Sequence, residues 1–200
     1  ETAKPPFDAI DLILVSHLHL DHFHPESIGR YLIHSPETIL VSSEQVVGEI
    51  EKQFAGYRSI RSRVTTLTPP VTQKIATKAA GTDLEVLGVG QGSGRHRSIQ
   101  NLGHLLRLGG KKLLHLGDAD TTPAILEKFN LDEEGIDVAF LPAWFLTGTE
   151  GPAVVREHIK PRHIVAVHMP ASGADGQAGA IRQVFPDADA FTVLLERRVY

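Results

Sequence analysis

Apolar runs and helical patterns alternate along the first third of the chain. The apolar stretch Ile10 to Val15 has the length and composition of a buried strand. A short helix near Glu26 to Ile33, a strand Thr38 to Val41 and a helix of about a dozen residues from Glu44 follow it. The pair Ser42-Ser43 supplies the N-cap of the second helix, because a hydroxyl accepts a hydrogen bond from first-turn amides. This alternation is typical of an α/β protein.

The middle of the chain has the pattern of a sheet built from hairpins. Five runs are predicted as successive strands: Val64 to Leu67, Lys74 to Lys78, Leu84 to Val89, Leu102 to Leu108 and Lys112 to Leu116. Gly109 and Gly110 separate the last two runs and suit a two-residue hairpin turn, because glycine adopts positive φ without steric cost.

The α/β alternation returns in the last third. The predicted helices are Pro123 to Phe129, Pro152 to Ile159 and Gln177 to Val184, and the predicted strands are Val138 to Leu141, Ile164 to Val167 and Phe191 to Leu195. No internal repeat or linker divides the chain, so we predict a single domain over residues 1–200. Because both halves contain strands and helices together, we expect two sheets packed face to face with helices outside.

The composition excludes several classes of protein. Of the 200 residues, 42% are hydrophobic and 22% are charged, which suffices for a core without disulfides. Lys plus Arg number 20 against 24 for Asp plus Glu, so the formal charge is −4 and we expect no DNA partner. No apolar run approaches the roughly 20 residues of a membrane span, so we expect no membrane partner. Cysteine is absent, which excludes disulfides, thiolate metal sites and cysteine nucleophiles.

Histidine is concentrated at one place. Of the 11 histidines, four lie within residues 14–24, directly after the first predicted strand. In extended backbone His17 and His19 project to one side, whereas Leu18 and Leu20 project to the other and are expected to anchor the loop in the core. The alternative is a polar strand end with solvated histidines. Four candidate ligands in six positions, at the strand end where α/β sheets bind ligands, favour a metal site.

The run His17-Leu-His19-Leu-Asp21-His22 resembles the first metal motif of the metallo-β-lactamase superfamily. This resemblance implies an α/β (α+β) fold, a four-layer αββα sandwich of two mixed sheets with a two-metal cleft along one edge. Members of the family usually begin with strands that precede this motif. Those strands are missing before Glu1, and we expect the chain to be part of a longer polypeptide.

The resemblance also implies further metal ligands. The family places a bridging Asp after a Gly, which matches Asp118, and a His at the end of a late strand, which matches His168. A mid-chain His has two candidates. We prefer His96, in a glycine-rich stretch that can carry a side chain into a cleft, whereas His104 lies inside an alternating strand. The implied ligands are His17, His19 and His96 on one metal and Asp21, His22 and His168 on the other, with Asp118 shared; Asp21 and Asp118 are the predicted catalytic residues.

The implied activity is that of a hydrolase with two divalent metal ions. Five imidazoles and two carboxylates favour Zn²⁺, although Mn²⁺ or Fe can occupy the same donor set. A hydroxide bridging the two ions is the expected nucleophile. Four positive charges, two carboxylates and one hydroxide leave a site of about +1, so the expected partner is a small anionic lactone, ester or amide. A phosphodiesterase or nuclease on the same scaffold and a noncatalytic metal-binding domain are the alternatives.

Within the superfamily, the chain resembles the L-ascorbate-6-phosphate lactonase branch. Phe23 follows the motif where glyoxalase II has Gly-Gly, Asn101-Leu-Gly-x-Leu-Leu leads into the Gly-Asp strand, and the chain ends soon after His168. One position departs from many relatives, since Ala119 stands where they have Thr after the Gly-Asp pair.

Several weaker candidates lie beside the predicted ligands. Arg95 and Arg97 flank His96 and are candidates to hold a substrate anion, with solvated surface charges as the alternative. Trp144 and Phe145 are candidates to line the pocket. His24 and His115 are candidates to orient ligands through a ring N–H. The sequence is compatible with a homo-oligomer. The N-terminus lacks the layout of a signal peptide, which favours the cytoplasm over export with the leader removed.

Overall fold

The computed structural model describes residues 4–5, 7–92, 96–170, 172–193 and 196–198. Within these ranges the strands are β1 (Leu12–Leu14), β2 (Ile39–Ser42), β3 (Val64–Thr66), β4 (Lys74–Ala79), β5 (Thr82–Gly88), β6 (Leu102–Leu108), β7 (Lys111–His115), β8 (Val138–Pro142), β9 (His163–Val167) and β10 (Asp189–Ala190). The α-helices are α1 (Pro25–His34), α2 (Glu44–Gln53), α3 (Tyr57–Ile60), α4 (Pro123–Leu126), α5 (Ala143–Thr147), α6 (Gly151–Val154) and α7 (Ala174–Val184). Short 3-10 turns follow α3 and α4, and a π-helical turn over Val155–Ile159 follows α6.

The strands form two sheets of different size. The smaller sheet has the order β1-β2-β3 and is parallel throughout the described residues. The larger sheet has the order β10-β9-β8-β7-β6-β5-β4. Its strands β4 to β7 are antiparallel neighbours, and β7 to β10 are parallel neighbours. The predicted ligands follow the carboxyl ends of β1, β7 and β9. The strand β1 belongs to the smaller sheet, and β7 and β9 belong to the larger sheet.

Alternation along the strands divides the core into layers. Leu12 and Leu14 of β1 pack against Val86 and Leu102 of the larger sheet, whereas Ile13 packs on the other side among residues of α1 to α3. The far face of the larger sheet is covered by the helices that follow β7, with fully buried residues such as Phe145, Ile159 and Ile181. The order is thus helices, small sheet, large sheet, helices, which confirms the predicted αββα sandwich. The prediction of two mixed sheets is wrong for the small sheet, because its described strands are all parallel.

Side chains at the N-termini of the first two helices fix where these helices begin. Ser43 accepts a hydrogen bond from the amide of Val46 at 3.4 Å, which confirms the predicted cap of α2. His24 caps α1 in the same way, because its Nδ1 accepts from the amide of Ser27 at 3.4 Å. The structure therefore places His24 at the exposed start of a helix rather than behind a ligand.

One predicted strand is wrong in its position. The last strand was expected at Phe191 to Leu195, but β10 occupies Asp189–Ala190, and residues 191–193 are not in a strand. Ala190 pairs with Ala166, one residue before β9 ends, and the chain turns away at His168 with a φ of 54°. Residues after Ala190 therefore have almost no part of β9 left to pair with. Residues 194 and 195 lie outside the described residues.

Two helices were not predicted. The short helices α3 and α5 cover four and five residues, too few to show a helical period in the sequence. Across the described part of the chain, no helix combines the length and apolar composition needed to cross a bilayer.

Candidate metal centre

The first ligand segment is extended only as far as His19 and then turns. His17 is fully buried, and its Nδ1 lies 3.0 Å from the hydroxyl of Ser16, so Nε2 points into the site. The amides of His22 and Phe23 both donate to the carbonyl of His19 at 3.0 Å. This turn brings His22 back towards His17, with ring centroids 4.1 Å apart.

The turn also corrects one expectation about the leucines. Leu18 packs into the core under α1 as predicted, but Leu20 is 81% exposed. The alternation that would bury Leu20 requires extended backbone, which ends at His19.

Six of the predicted ligands converge in two groups. One group has donor atoms of His17, His19 and Asp118, and the other has donor atoms of Asp21, His22 and His168; within each group the atoms lie within 4.8 Å of one another. In the first group His17 Nε2 lies 3.1 Å from His19 Nδ1. In the second, Asp21 Oδ2 lies 3.3 Å from His168 Nε2 and 3.6 Å from His22 Nε2.

Asp118 lies between the two groups. Its Oδ2 is 3.6 Å from His17 Nε2 and also 3.6 Å from His168 Nε2, while its Oδ1 is 3.2 Å from His22 Nε2. Oδ1 is buried and makes no hydrogen bond of good geometry to any residue that the structure describes. A buried carboxylate oxygen surrounded by imidazole nitrogens without a hydrogen bond suits a shared metal ligand. The donor set of imidazoles and carboxylates therefore fits divalent transition-metal ions.

The position of Asp118 is set by Asn101, a residue that the sequence analysis did not identify as functional. The buried Asn101 side chain accepts from the amide of Asp118 at 3.1 Å and donates to the carbonyls of Gly90 and Leu116 at 3.2 and 3.1 Å. It joins the loop after β5 to the turn after β7. An Asn just before an alternating strand, close to the glycine-rich loop, was the available signal.

A glycine and a histidine complete this turn. Gly117 has a φ of +56°, and a Cβ there would lie 2.3 Å from Asn101 Oδ1. Its amide donates to Nδ1 of His115 at 2.9 Å. His115 thus supports the turn that carries Asp118 by accepting this hydrogen bond at Nδ1, which differs from the predicted donation of a ring N–H to a ligand.

The pKa shifts follow from burial and from the neighbouring charges. Burial, and after it the charge of the nearby His22, lowers the pKa of His17 to about 4. The interaction with Asp118 raises the pKa of His22 above its ordinary value. Burial opposes ionisation of Asp118, but His22 and then His17 outweigh it and hold the pKa of that carboxyl below its usual range. Neutral imidazole and ionised carboxylate, the forms that bind metals, are favoured at His17 and Asp118.

His96 lies near the first group without joining it. Its ring centroid is 5.4 Å from that of His19, in an edge-to-face arrangement, but it does not belong to either group of donor atoms within 4.8 Å. The carboxamide of Gln91 contacts two members of the first group. Gln91 Nε2 lies 3.3 Å from both His19 Nδ1 and Asp118 Oδ2. The sequence analysis missed Gln91, because an amide in a glycine-rich loop gives no metal-ligand pattern.

The weaker candidates have different outcomes. Arg95 lies outside the described residues. Arg97 is exposed and lines a separate hollow with residues such as Pro70 and Gln100. Trp144 borders the site, since its ring is 5.0 Å from that of His168 and its indole N–H donates to the carbonyl of Ala119 at 3.0 Å.

Two other candidates lie in the protein interior. Phe145 was a candidate to line the pocket, but it is fully buried in the core of the larger sheet. Successive residues of a helix point about 100° apart, so Trp144 and Phe145 cannot both face the site. His104 is likewise buried and belongs to neither donor group, and its Nε2 has no hydrogen-bond partner within the described ranges.

A hollow of about 300 Å³ opens over the second group. It is lined by residues of three loops: Asp21, His22, His115, Gly117, Asp118, Val167, His168 and Met169. Asp21 is the exposed carboxylate of the site, with 64% of its side chain accessible, whereas that of Asp118 is 9% accessible. A small molecule can reach the donor atoms from this side.

Comparisons with known proteins agree with this geometry. Residues 2–184 match the family described as "Beta-lactamase superfamily domain". No curated protein matches the chain. Among solved structures, the chain is similar to a metallo hydrolase from the hyperthermophilic archaeon Ignicoccus hospitalis, with a TM-score of 0.61 and 14% identity over 90% of this chain and 76% of that one.

Two further structural neighbours contain metals according to their descriptions. The diiron β-hydroxylase CmlA from Streptomyces venezuelae has a TM-score of 0.59 and 16% identity, over 90% of this chain and 40% of that one. The Zn²⁺-bound PqqB from Methylobacterium extorquens has a TM-score of 0.58 and 14% identity, over 93% of this chain and 73% of that one. At these identities the likeness shows a common fold.

Proposed function

The chain belongs to the beta-lactamase superfamily domain family, and from this membership and the site geometry we propose that it is a hydrolase dependent on two divalent metal ions. The substrate we propose is a small anionic lactone, ester or amide. The fold neighbours include a metallo hydrolase, which supports the reaction class without fixing the substrate.

The position of Asp118 is the observation that carries this proposal. A domain that binds a single structural ion needs one closed group of ligands. Here one carboxylate lies within 3.6 Å of imidazoles from both groups, His17 on one side and His22 and His168 on the other. Two ions held so close share the task of activating water and polarising a substrate oxygen, which is the chemistry that such pairs supply when bound.

The surrounding residues hold these donors in place. Ser16 orients His17 through its Nδ1, and Asn101 holds the backbone of Asp118. Trp144 packs against His168 in an edge-to-face arrangement, with ring centroids 5.0 Å apart. Asp21, exposed at the rim of the hollow, is the residue to which we assign proton exchange with solvent.

Charge supports an anionic substrate. The carboxylates of Asp21 and Asp118 neutralise only half of the charge of two divalent ions, and the remaining ligands in the two groups are neutral imidazoles. Substrates with a carboxylate or phosphate beside the scissile bond are therefore favoured. A lactonase resembling the L-ascorbate-6-phosphate branch is the specific form of this proposal, on the sequence features around Phe23 and Asn101.

The identity of the metal is part of the proposal. Imidazole and carboxylate donors without thiolate suit Zn²⁺ best among common ions, and Mn²⁺ or Fe also bind such sets. One structural neighbour is described as Zn²⁺-bound and another as diiron, so the fold accepts both metals. We propose Zn²⁺.

The test is a hydrolysis panel with matched variants. Purified chain loaded with Zn²⁺ is assayed on lactones, β-lactams and phosphodiesters, beside Asp118→Ala and the control Asp83→Ala. Asp83 is an exposed carboxylate of β5 paired with Lys78. We expect lactone hydrolysis by the wild type and the control and none by Asp118→Ala. Cleavage of phosphodiesters alone would favour a nuclease, and two bound ions without any activity would indicate a noncatalytic domain.

A further inference from the structure

The first donor group has three donor atoms, and the side chain of Gln91 lies next to two of its members. His17, His19 and Asp118 supply three donor atoms, whereas a transition-metal ion with protein ligands commonly takes four or more. The residue predicted to supply another, His96, is not among the donor atoms that converge. Among the described residues of the loop that follows β5, Gln91 has a polar atom 3.3 Å from both His19 and Asp118.

The side-chain amide of Gln91 lies at ligand-to-ligand distance from two members of the first group. Neighbouring ligand atoms in a tetrahedral site with bonds of about 2.0 Å lie roughly 3.3 Å apart. Gln91 Nε2 lies 3.3 Å from His19 Nδ1 and 3.3 Å from Asp118 Oδ2. His17 Nε2 lies 3.1 Å from His19 Nδ1 and 3.6 Å from Asp118 Oδ2. These four distances join Gln91, His19, His17 and Asp118 in a closed ring, and each is close to the separation of neighbouring ligand atoms around one ion.

The amide oxygen is available to act as the donor. Oxygen and nitrogen of a carboxamide exchange places by a half-turn of the terminal group, and only the oxygen has lone pairs for a cation. Gln91 Oε1 is buried and has no hydrogen-bond partner among the residues that the structure describes. The half-turn gives up the contacts of Nε2 with His19 and Asp118, two groups that would themselves coordinate the ion.

From this geometry, and resting on the proposed function, we infer that Gln91 is a ligand of the first metal ion through its side-chain oxygen. This first group then has two imidazoles, one carboxylate and one neutral amide oxygen. Carbonyl oxygen is a harder and weaker donor than imidazole towards Zn²⁺ and is well suited to Mn²⁺. The first site accordingly binds Zn²⁺ less tightly than the same site with a third histidine.

Metal titration of the whole chain with four variants tests this inference. Chain stripped with a chelator is titrated with Zn²⁺ against a competing chelator, and with Co²⁺ to record the visible spectrum. The variants are Gln91→Ala, Gln91→His, His96→Ala and the control Gln73→Ala, an exposed glutamine that belongs to neither donor group. Urea unfolding of each metal-free variant shows whether the fold is retained.

We expect Gln91→Ala to weaken the first Zn²⁺ equivalent about tenfold or more and to change the Co²⁺ spectrum, while the second equivalent stays unchanged. We expect Gln91→His to bind the first Zn²⁺ equivalent more tightly than the wild type does. His96→Ala should have the same Zn²⁺ affinities as the control Gln73→Ala. If the wild type binds two ions and Gln91→Ala has the same affinities and the same Co²⁺ spectrum, the inference about Gln91 is overturned and the proposed function is not. A wild type that binds no ion overturns the proposed function as well.

Discussion

At the residue scale, His104 shows how burial lowers the pKa of an imidazole. It lies on β6 opposite His115 of β7, is 2% exposed, and its Nε2 has no hydrogen-bond partner. Burial lowers the pKa of His104 to about 3, with a smaller lowering from the charge of His115. The other titratable group along the adjoining cavity is His22. His104 is thus neutral in the folded protein over the whole physiological range of pH.

This neutrality predicts a pH dependence of stability. Between the ordinary pKa of 6.5 and about 3, the unfolded chain binds a proton at His104 and the folded protein does not, so the free energy of unfolding falls as the pH drops below 6.5. We expect wild type to lose about 2 kcal/mol more than His104→Leu between pH 7.5 and pH 5. Urea titrations of metal-free protein at several pH values measure this. Parallel curves for the two proteins would contradict the assignment.

At the element scale, the ends of the strands determine where the ligands lie. The turn after β7 carries Asp118, and it is closed by Gly117 against Asn101 and Ser16. The turn between β6 and β7 contains Gly109, also at positive φ (+59°), but with open space where a side chain would go. The two glycines have the same backbone requirement and different surroundings.

A pair of alanine substitutions separates the two requirements. Gly109→Ala is expected to lower the free energy of unfolding by about 1 kcal/mol, the cost of placing an L-residue in the left-handed region. Gly117→Ala adds a collision and is expected to cost about 2 kcal/mol more and to abolish metal binding through Asp118. Chemical unfolding and zinc titration measure both effects. Equal losses in the two variants would show that the close approach to Asn101 is unimportant.

The helix α5 links two of the loops that carry ligands. Trp144 donates from its indole N–H to Ala119, next to Asp118, and its ring lies against His168. Trp144→Phe keeps the ring and loses the hydrogen bond, whereas Trp144→Ala loses both. We expect the affinity of the second metal equivalent to fall in that order, by about tenfold for Trp144→Ala. Wild-type affinity for both ions in Trp144→Ala would remove Trp144 from the positioning of His168.

How far the sequence predicts these elements depends on the length of the pattern. The strands β4 to β7 and the helices α1 and α2 repeat their period several times and were predicted close to their observed bounds. The exposure of Leu20 depends on a single turn after His19, and the position of Gln91 depends on how a loop folds back on the site. Neither leaves a periodic signal, so neither could be predicted from residue spacing.

At the scale of the whole molecule, the site exists only where the two sheets meet. The loop after β1 of the small sheet supplies four donors, and the loops after β7 and β9 of the large sheet supply Asp118 and His168. Residues about 100 positions apart in the sequence are brought together by this packing. The motif after β1 could be recognised in the sequence, whereas the convergence of Asp118 on both groups required the fold.

Because the unfolded chain lacks the site, bound metal should stabilise the fold. Zn²⁺ at about a hundred times its dissociation constant is expected to raise the free energy of unfolding by roughly 2.7 kcal/mol per ion, and a chelator should reverse the gain. Asp118→Ala should lose most of this increment, and Asp83→Ala should keep it. Thermal unfolding with and without Zn²⁺ measures the effect. An identical increment in Asp118→Ala would contradict a shared ligand at this position.

Anomalous diffraction from crystals of the zinc-loaded chain is the most direct measurement of the arrangement described above. We predict two anomalous peaks, one among His17, His19 and Asp118 and one among Asp21, His22 and His168, each about 2.0–2.3 Å from its donor atoms, with Asp118 touching both. A single peak away from Asp118, or none among these residues in the presence of ample Zn²⁺, would contradict the two-metal site.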